Sequence, residues 1–270
     1  MYYNRFDVRA ALLNFTRTTE GTGVRETAIY NSRTHTLQRY LGNNGSKHPV
    51  QIHPENIDDL VSMGAVAFFC SYWRYSSLDF QNPIGRDLVW IVRAEKGGLK
   101  ATKETVKYII EILRSLGVEA WLKYDGDRGF DIIIPLEAIP YEGWMGDLSA
   151  LDEIQHQLTD FIASHLDERF PNSQRRFSDS SLRIEMDSGV CLLSELRVRR
   201  GLLLAPMSLN PKTDLISVPI TPEQLETFTV LNATKEHVQP TEWKLPEFPS
   251  YSLMRFAPVQ MPTVLQAIEA

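Results

Sequence analysis

The stretch ATKETVKYIIEILRSLGVEAWLKYDGDRGFDIIIP, residues 101–135, does most to narrow what this chain can fold into. Val106, Ile109, Ile110, Leu113 and Leu116 recur at intervals of three and four, which writes one apolar stripe along a helix. Gly117 ends that helix, and Thr102 is its expected N-cap. VEAWLKY and FDIIIP then read as strands. Only DGDRG separates them, too little chain for a crossover, so they are expected to pair as an antiparallel hairpin. A helix followed directly by a hairpin points to mixed sheets rather than a purely parallel or purely helical fold.

The rest of the chain keeps this character. Residues 5–15 read as a short amphipathic helix carrying Phe6, Ala10 and Leu13. TRTTEGTG is a loop. VRETAIYN and HTLQRYL are two short strands joined by NSRT, followed by the turn cluster GNNGSKHP. Pro54 opens a helix with Ile57, Leu60 and Val61. AVAFFCSYW is one continuous apolar strand, SSLDFQNPIG a loop, and DLVWIV the next strand. A second long helix covers about 149–170. SLRIEM, CLLSEL and GLLLAP give further strands. Thr221-Pro222-Glu223-Gln224 is a capping box with proline in the first helical position, so a helix is expected there. Beyond about residue 229, prolines and aromatics alternate without periodicity. The fold class expected is α+β, with one domain over 1–230 and an extended C-terminal arm over 231–270, lying on the body or on a partner.

Composition excludes several classes. Lys and Arg number 28 against 34 Asp and Glu, so the overall electrostatic footprint of a basic nucleic-acid binder is absent. Two cysteines, Cys70 and Cys191, make neither a disulfide framework nor a zinc site, and both are expected as core thiols. No apolar run approaches a membrane span, and no leader pattern opens the chain, so the cytoplasm is the expected location and no membrane partner is expected. No HExxH or GxSxG pattern appears.

One strand is odd. In DLVWIVRAEKGG, residues 87–98, Arg93 stands inside an apolar strand on the same face as Ile91. Three stretches in order, DLVWIVRAEKGG, YDGDRGFDIIIPL (124–136) and APMSLNPKTDLISVPI (205–220), resemble the archaeo-eukaryotic primase superfamily, which includes archaeal primase small subunits and the polymerase domain of bacterial end-joining ligases. The family's first motif looks like DLVFDIDA, its second like SGxxGxHxxxP, and its third ends like APYSLHxKTGLVSVP. The resemblance covers roughly residues 25–230. It implies a primase-polymerase fold and two-metal nucleotidyl transfer, in which two aspartates on one strand and a third acid hold divalent ions, and a serine, a histidine and a lysine bind the triphosphate.

At those positions this chain departs from the pattern. Ile91 and Arg93 replace the paired aspartates, and a permanent cation repels Mg²⁺. Asp125 and Asp131 replace serine and histidine. Asp214 follows Thr213 where the family has glycine, while Lys212 is kept. Asp187, in RIEMDSG, is the candidate third carboxylate. The family comparison implies degenerate catalytic positions at Ile91, Arg93, Asp131 and Asp187, with Arg93 and Asp131 meeting in a salt bridge that replaces the metal. Asp125 and Asp127 also read as ordinary turn residues. Arg128, Arg199, Arg200, Ser208 and Lys212 are candidates for phosphate or nucleic-acid contact. Arg175, Arg176 and Arg197 could extend a backbone-contacting patch.

The expected function is therefore a catalytically inactive primase-like protein. It would serve as an accessory or structural factor in DNA replication or repair, bound to a primase subunit or helicase component and capable of meeting DNA or RNA, without a cofactor. Two alternatives remain at this level. One is an active nucleotidyltransferase using Mg²⁺ or Mn²⁺ on relocated carboxylates, Asp125, Asp127, Asp131, Asp187 and Asp214. The other is a nucleotide-binding sensor.

Overall fold

Helix α1 (Phe6–Thr16) opens the chain in the computed structural model, which describes residues 2–16, 23–42, 46–171, 174–176 (backbone only) and 181–258. Most of the expected loop TRTTEGTG, part of GNNGSKHP and the last twelve residues of the arm lie outside the described residues. After α1 come β1 (Thr27–Asn31), β2 (Thr36–Gln38), the small hairpin β3 (Tyr40–Leu41) and β4 (His48–Pro49), and α2 (Ile57–Ser62). Then follow β5 (Ala65–Ser71), β6 (Trp73–Tyr75), β7 (Pro83–Arg86), β8 (Leu88–Lys96), α3 (Gly98–Ser115), β9 (Trp121–Tyr124) and β10 (Gly129–Ile134). The chain continues through α4 (Leu148–Arg169), β11 (Gln174–Arg176), β12 (Ser181–Met186), β13 (Gly189–Leu196), β14 (Leu202–Leu204) and β15 (Pro219–Ile220).

Two sheets organise the molecule. The smaller runs β14-β5-β1-β2 and the larger β11-β12-β13-β8-β10-β9-β15. Every strand pair in both sheets is antiparallel, including the β9–β10 hairpin the short turn requires. The mixed α+β architecture is the expected one.

Strand alternation gives the larger sheet two unlike faces. Leu88, Trp90, Val92, Phe130, Ile132 and Ile134 point under α3 and α4 and form the main core with Ile109, Leu113, Leu151 and Leu158. Val89 and Ile133, on the other face, pack with Tyr72, Trp73 and Leu203 in a second cluster between the sheets. Further along that face the apolar cover stops, at Ile91 and Arg93. Cys70 and Cys191 are both buried free thiols.

Three local expectations are corrected. Gly97, not Thr102, is the N-cap of α3, with φ 84°. A side chain there would put its Cβ 2.0 Å from the Ser188 carbonyl oxygen, so only glycine lets the β12–β13 turn approach. Thr102 is buried one turn inside the helix, where its hydroxyl donates back to the Leu99 carbonyl at 3.0 Å. AVAFFCSYW is not one strand: Tyr72 breaks it, β5 joining the smaller sheet and β6 pairing with β7, with Tyr75 also bridging to Val24. The capping box at Thr221 forms as written, but it caps a single 3-10 turn, Pro222–Gln224.

The described part of the C-terminal segment lies along the body. Trp243 stacks on Trp121 at 5.1 Å between centroids, with the rings 8° from parallel. Leu253 and Phe256, on a 3-10 stretch against α4, are buried, while Phe248 and Tyr251 are exposed.

Candidate functional site

The register of the larger sheet lays one straight row of residues across five strands. Ser194 of β13 opposes Ile91 of β8, Ile91 opposes Asp131 of β10, Asp131 opposes Lys123 of β9, and Lys123 opposes Pro219 of β15. This row crosses the face on which the family resemblance puts metal-binding acids. Its one carboxylate is already taken. Lys123 donates to Asp131 Oδ2 at 2.6 Å and to the Ser217 hydroxyl at 2.9 Å. Both charged side chains are shut from solvent, at 0% and 4% exposure. Buried charges require such pairing. Ser217 in turn donates to the Tyr124 carbonyl, tying the third stretch to the second.

The expected Arg93–Asp131 salt bridge does not form. Arg93 lies one row nearer the hairpin turn, opposite Gly129, and its Nε sits 3.1 Å from Asp125 Oδ2. The register is the reason: Asp131 has Ile91 on one side and Lys123 on the other, and the buried lysine claims it. Gly129 lets the arginine stem cross, since a Cβ there would come within 2.9 Å of Arg93 Cγ. Arg93 remains half exposed.

Asp125 is also a turn residue. Its Oδ1 accepts from the backbone N–H of Asp127 at 2.8 Å and of Gly129 at 3.1 Å, which closes the DGDRG turn. The 205–220 stretch packs beside it: Asn210 donates to the Asp125 carbonyl and Thr213 to the Gly126 carbonyl. The three stretches thus do meet at one place.

Several candidates are engaged elsewhere. Ser208 is fully buried, and its hydroxyl accepts from the Phe68 N–H at 2.7 Å. Lys212 is exposed on the loop, and Asp214 pairs with Lys235 at 2.5 Å. Asp187 sits in the turn beyond the last β12–β13 pair, Met186 opposite Gly189. The β13 positions that oppose Ile91 and Arg93 are Ser194 and Leu192, neither of them acidic. Arg128 is exposed beside Asp127, Arg199 donates to the Gln81 carbonyl, Arg200 pairs with Glu26, and Arg197 pairs with Glu195 at 2.9 Å. The side chains of Arg175 and Arg176 lie outside the described residues. The five aspartates do not converge: among the described residues no three of His, Cys, Asp and Glu come together as a metal-holding group. The residues present at the family's metal face do not fit a divalent ion.

Past the buried pair on the same face, beyond Trp121 and Pro219, opens a cleft of about 800 Å³. Phe15, Arg25, Arg74, Glu137, Trp121 and Trp243 are among its walls. Arg25 and Arg74 are anchored on Asp87, at 2.7 and 2.9 Å, and Arg74 also binds Glu137 at 2.7 Å. Burial pushes the Asp87 carboxyl up, but the charges and hydrogen bonds of Arg25 and Arg74 outweigh it and hold the group below the usual carboxylate range.

Sequence reasoning missed Lys123, Arg25, Arg74 and Asp87. Lys123 had a signal: a hairpin closed on residues 125–129 must place 123 opposite 131. The Asp87 network joins four separated segments, and no local pattern announces it.

No family model and no curated protein matches the chain. Among solved structures, the polymerase domain of ligase D from Mycobacterium tuberculosis, solved in complex with DNA, superposes with a TM-score of 0.55. The identity is 13%, over 94% of this chain and 88% of that one. The chain therefore has a primase-polymerase-like fold.

Proposed function

We propose that this protein is a primase-polymerase fold without metal-dependent nucleotidyl transfer, acting as an accessory or structural factor in DNA replication or repair. The single observation that carries the reading is the row Ser194–Ile91–Asp131–Lys123–Pro219. Its only carboxylate is neutralised by a buried lysine rather than left for an ion. Two-metal catalysis needs several carboxylates facing one point. Here lysine and arginine supply the positive charge that a metal would otherwise bring. The protein would work in the cytoplasm through contact with a primase subunit or helicase component, and with DNA of the kind its structural neighbour binds.

The test is primer extension by the purified full-length chain, with each nucleotide in Mg²⁺ and in Mn²⁺. No incorporation is expected. Incorporation that disappears on Asp131→Asn would overturn the reading in favour of a divergent polymerase. The accessory role is tested by isolating the tagged protein from its host: replication or repair proteins are expected with it, and their consistent absence argues against that role.

A further inference from the structure

The strap between Val238 and Ser250 has an unusual hold on the body. Both of its ends are fixed: Val238 is buried, and the Ser250 N–H donates to the Ala138 carbonyl at 2.8 Å, just before buried Leu253. Between them, residues 239–249 make no backbone–backbone hydrogen bond among the described residues. The strap is held by side chains. Trp121 donates its ring N–H to the Lys244 carbonyl at 2.8 Å, and Thr241 donates to Gln224 at 3.1 Å. Its chief contact is Trp243, whose indole lies flat on Trp121 and edge-on to Phe15 of α1, 5.7 Å away.

This aromatic slot stacks on one face of the indole, through Trp121, and meets Phe15 edge-on. Among the described residues Trp243 Nε1 is buried without a hydrogen-bond acceptor. Buried tryptophans usually find a partner for that N–H, because an unsatisfied donor is a penalty. The cleft beside the slot has room for a further planar group, and its charges balance: Arg25, Arg74 and Lys244 against Asp7, Glu137 and Glu242. Such a lining gives a triphosphate no net attraction and suits an uncharged ring. Flat aromatic stacking accepts any base, since every base has a π-face.

We propose that the Phe15–Trp121 slot is a nucleobase-binding site that the chain's own Trp243 closes, so that residues 239–249 form a displaceable strap. The site is separate from the metal face, since Ile91, Arg93, Asp125 and Asp131 do not line the cleft. The proposal does not depend on the loss of nucleotidyl transfer. Its base could come from a free nucleoside or from the end of a single strand.

The experiment compares full-length protein with Trp243→Ala, Trp243→Leu and the double variant Trp243→Ala with Trp121→Ala. Binding of adenosine and of a short single-stranded DNA is measured by calorimetry, with melting curves as a folding check. Trp243→Leu keeps apolar cover over the cleft if the alanine variant unfolds. Opening the slot is expected to tighten binding of at least one probe by roughly tenfold, with the gain lost when Trp121 is also removed. A gain for both probes assigns the site to the base itself. A gain for the oligonucleotide alone assigns it to a strand end. If neither Trp243 variant binds more tightly than the parent chain, or if the gain survives Trp121→Ala, the proposal fails.

Discussion

Arg93 looks anomalous in DLVWIVRAEKGG because a cation inside a strand needs a reason, and the reason turns out to be Asp125 rather than Asp131. The exposed pair and the buried pair have different energetic weights. Arg93 is half solvated, so removing it is expected to cost about 0–1 kcal/mol. Asp131→Ala would strand the ammonium of Lys123, which has no exposure at all, and is expected to cost about 3–5 kcal/mol. A double-mutant cycle measured by urea unfolding separates the two assignments. Lys123→Ala with Asp131→Ala is expected to be strongly coupled. Arg93→Ala with Asp131→Ala is expected to be additive within about 0.5 kcal/mol. Coupling confined to the second cycle would show that the register-based account is wrong. The three motif stretches were legible in the sequence, and in the fold they do meet. The pairing was not legible, because alignment to a family compares positions along the chain, whereas charge partners are chosen across the strands. The register needed for that choice was present in the five-residue turn.

At the scale of elements, Asp87 does the joining. It stands at the entrance to β8 and binds Arg25, which precedes β1, and Arg74 of β6; it also accepts the Leu136 N–H at 3.1 Å. Both sheets and the segment after β10 therefore share one buried carboxylate. Its folded pKa lies below the ordinary value, so the ionised form favours the fold. That contribution is fully present above the unfolded value near 3.9 and is lost as pH falls through the lower folded value. Unfolding midpoints followed from about pH 5 down to about pH 2 are expected to fall steeply in this chain. They are expected to fall less steeply in Asp87→Asn, which should already be weaker at neutral pH by about 3–5 kcal/mol because two buried guanidinium groups lose their shared anion. Parallel pH profiles for the two proteins would remove Asp87 from this role. The same scale explains what the sequence misplaced. Gly97 replaced Thr102 as the helix cap because a close approach by the β12–β13 turn, invisible locally, left room only for glycine. AVAFFCSYW divided at Tyr72 because two sheets, each with its own edge, draw on one apolar run.

For the whole molecule, the mixed order of helices and hairpins already dictated α+β, whereas the placement of the C-terminal segment depended on long-range packing that periodicity does not encode. Its described part has two functions that truncation would confuse. Leu253 and Phe256 are buried against the body and act as an anchor, while residues 239–249 are a strap held by side chains. Ending the chain at Val238 removes both. Full burial of a large apolar side chain contributes about 1.5–3 kcal/mol, so losing Leu253 and Phe256 alone is expected to cost about 3–6 kcal/mol, before the Trp121–Trp243 stack is counted. Thermal unfolding of the truncated chain should show a large fall in Tm. Leu253→Ala, which leaves the strap whole, should reproduce a substantial part of it, about 2–5 kcal/mol. Trp243→Ala, which leaves the anchor whole, should reproduce much less, because the residue is only partly buried and its N–H has no acceptor among the described residues. The reverse order of the two point variants would mean that Trp243 is the true fastening of the segment. A strap fastened that firmly could not yield its slot to a base.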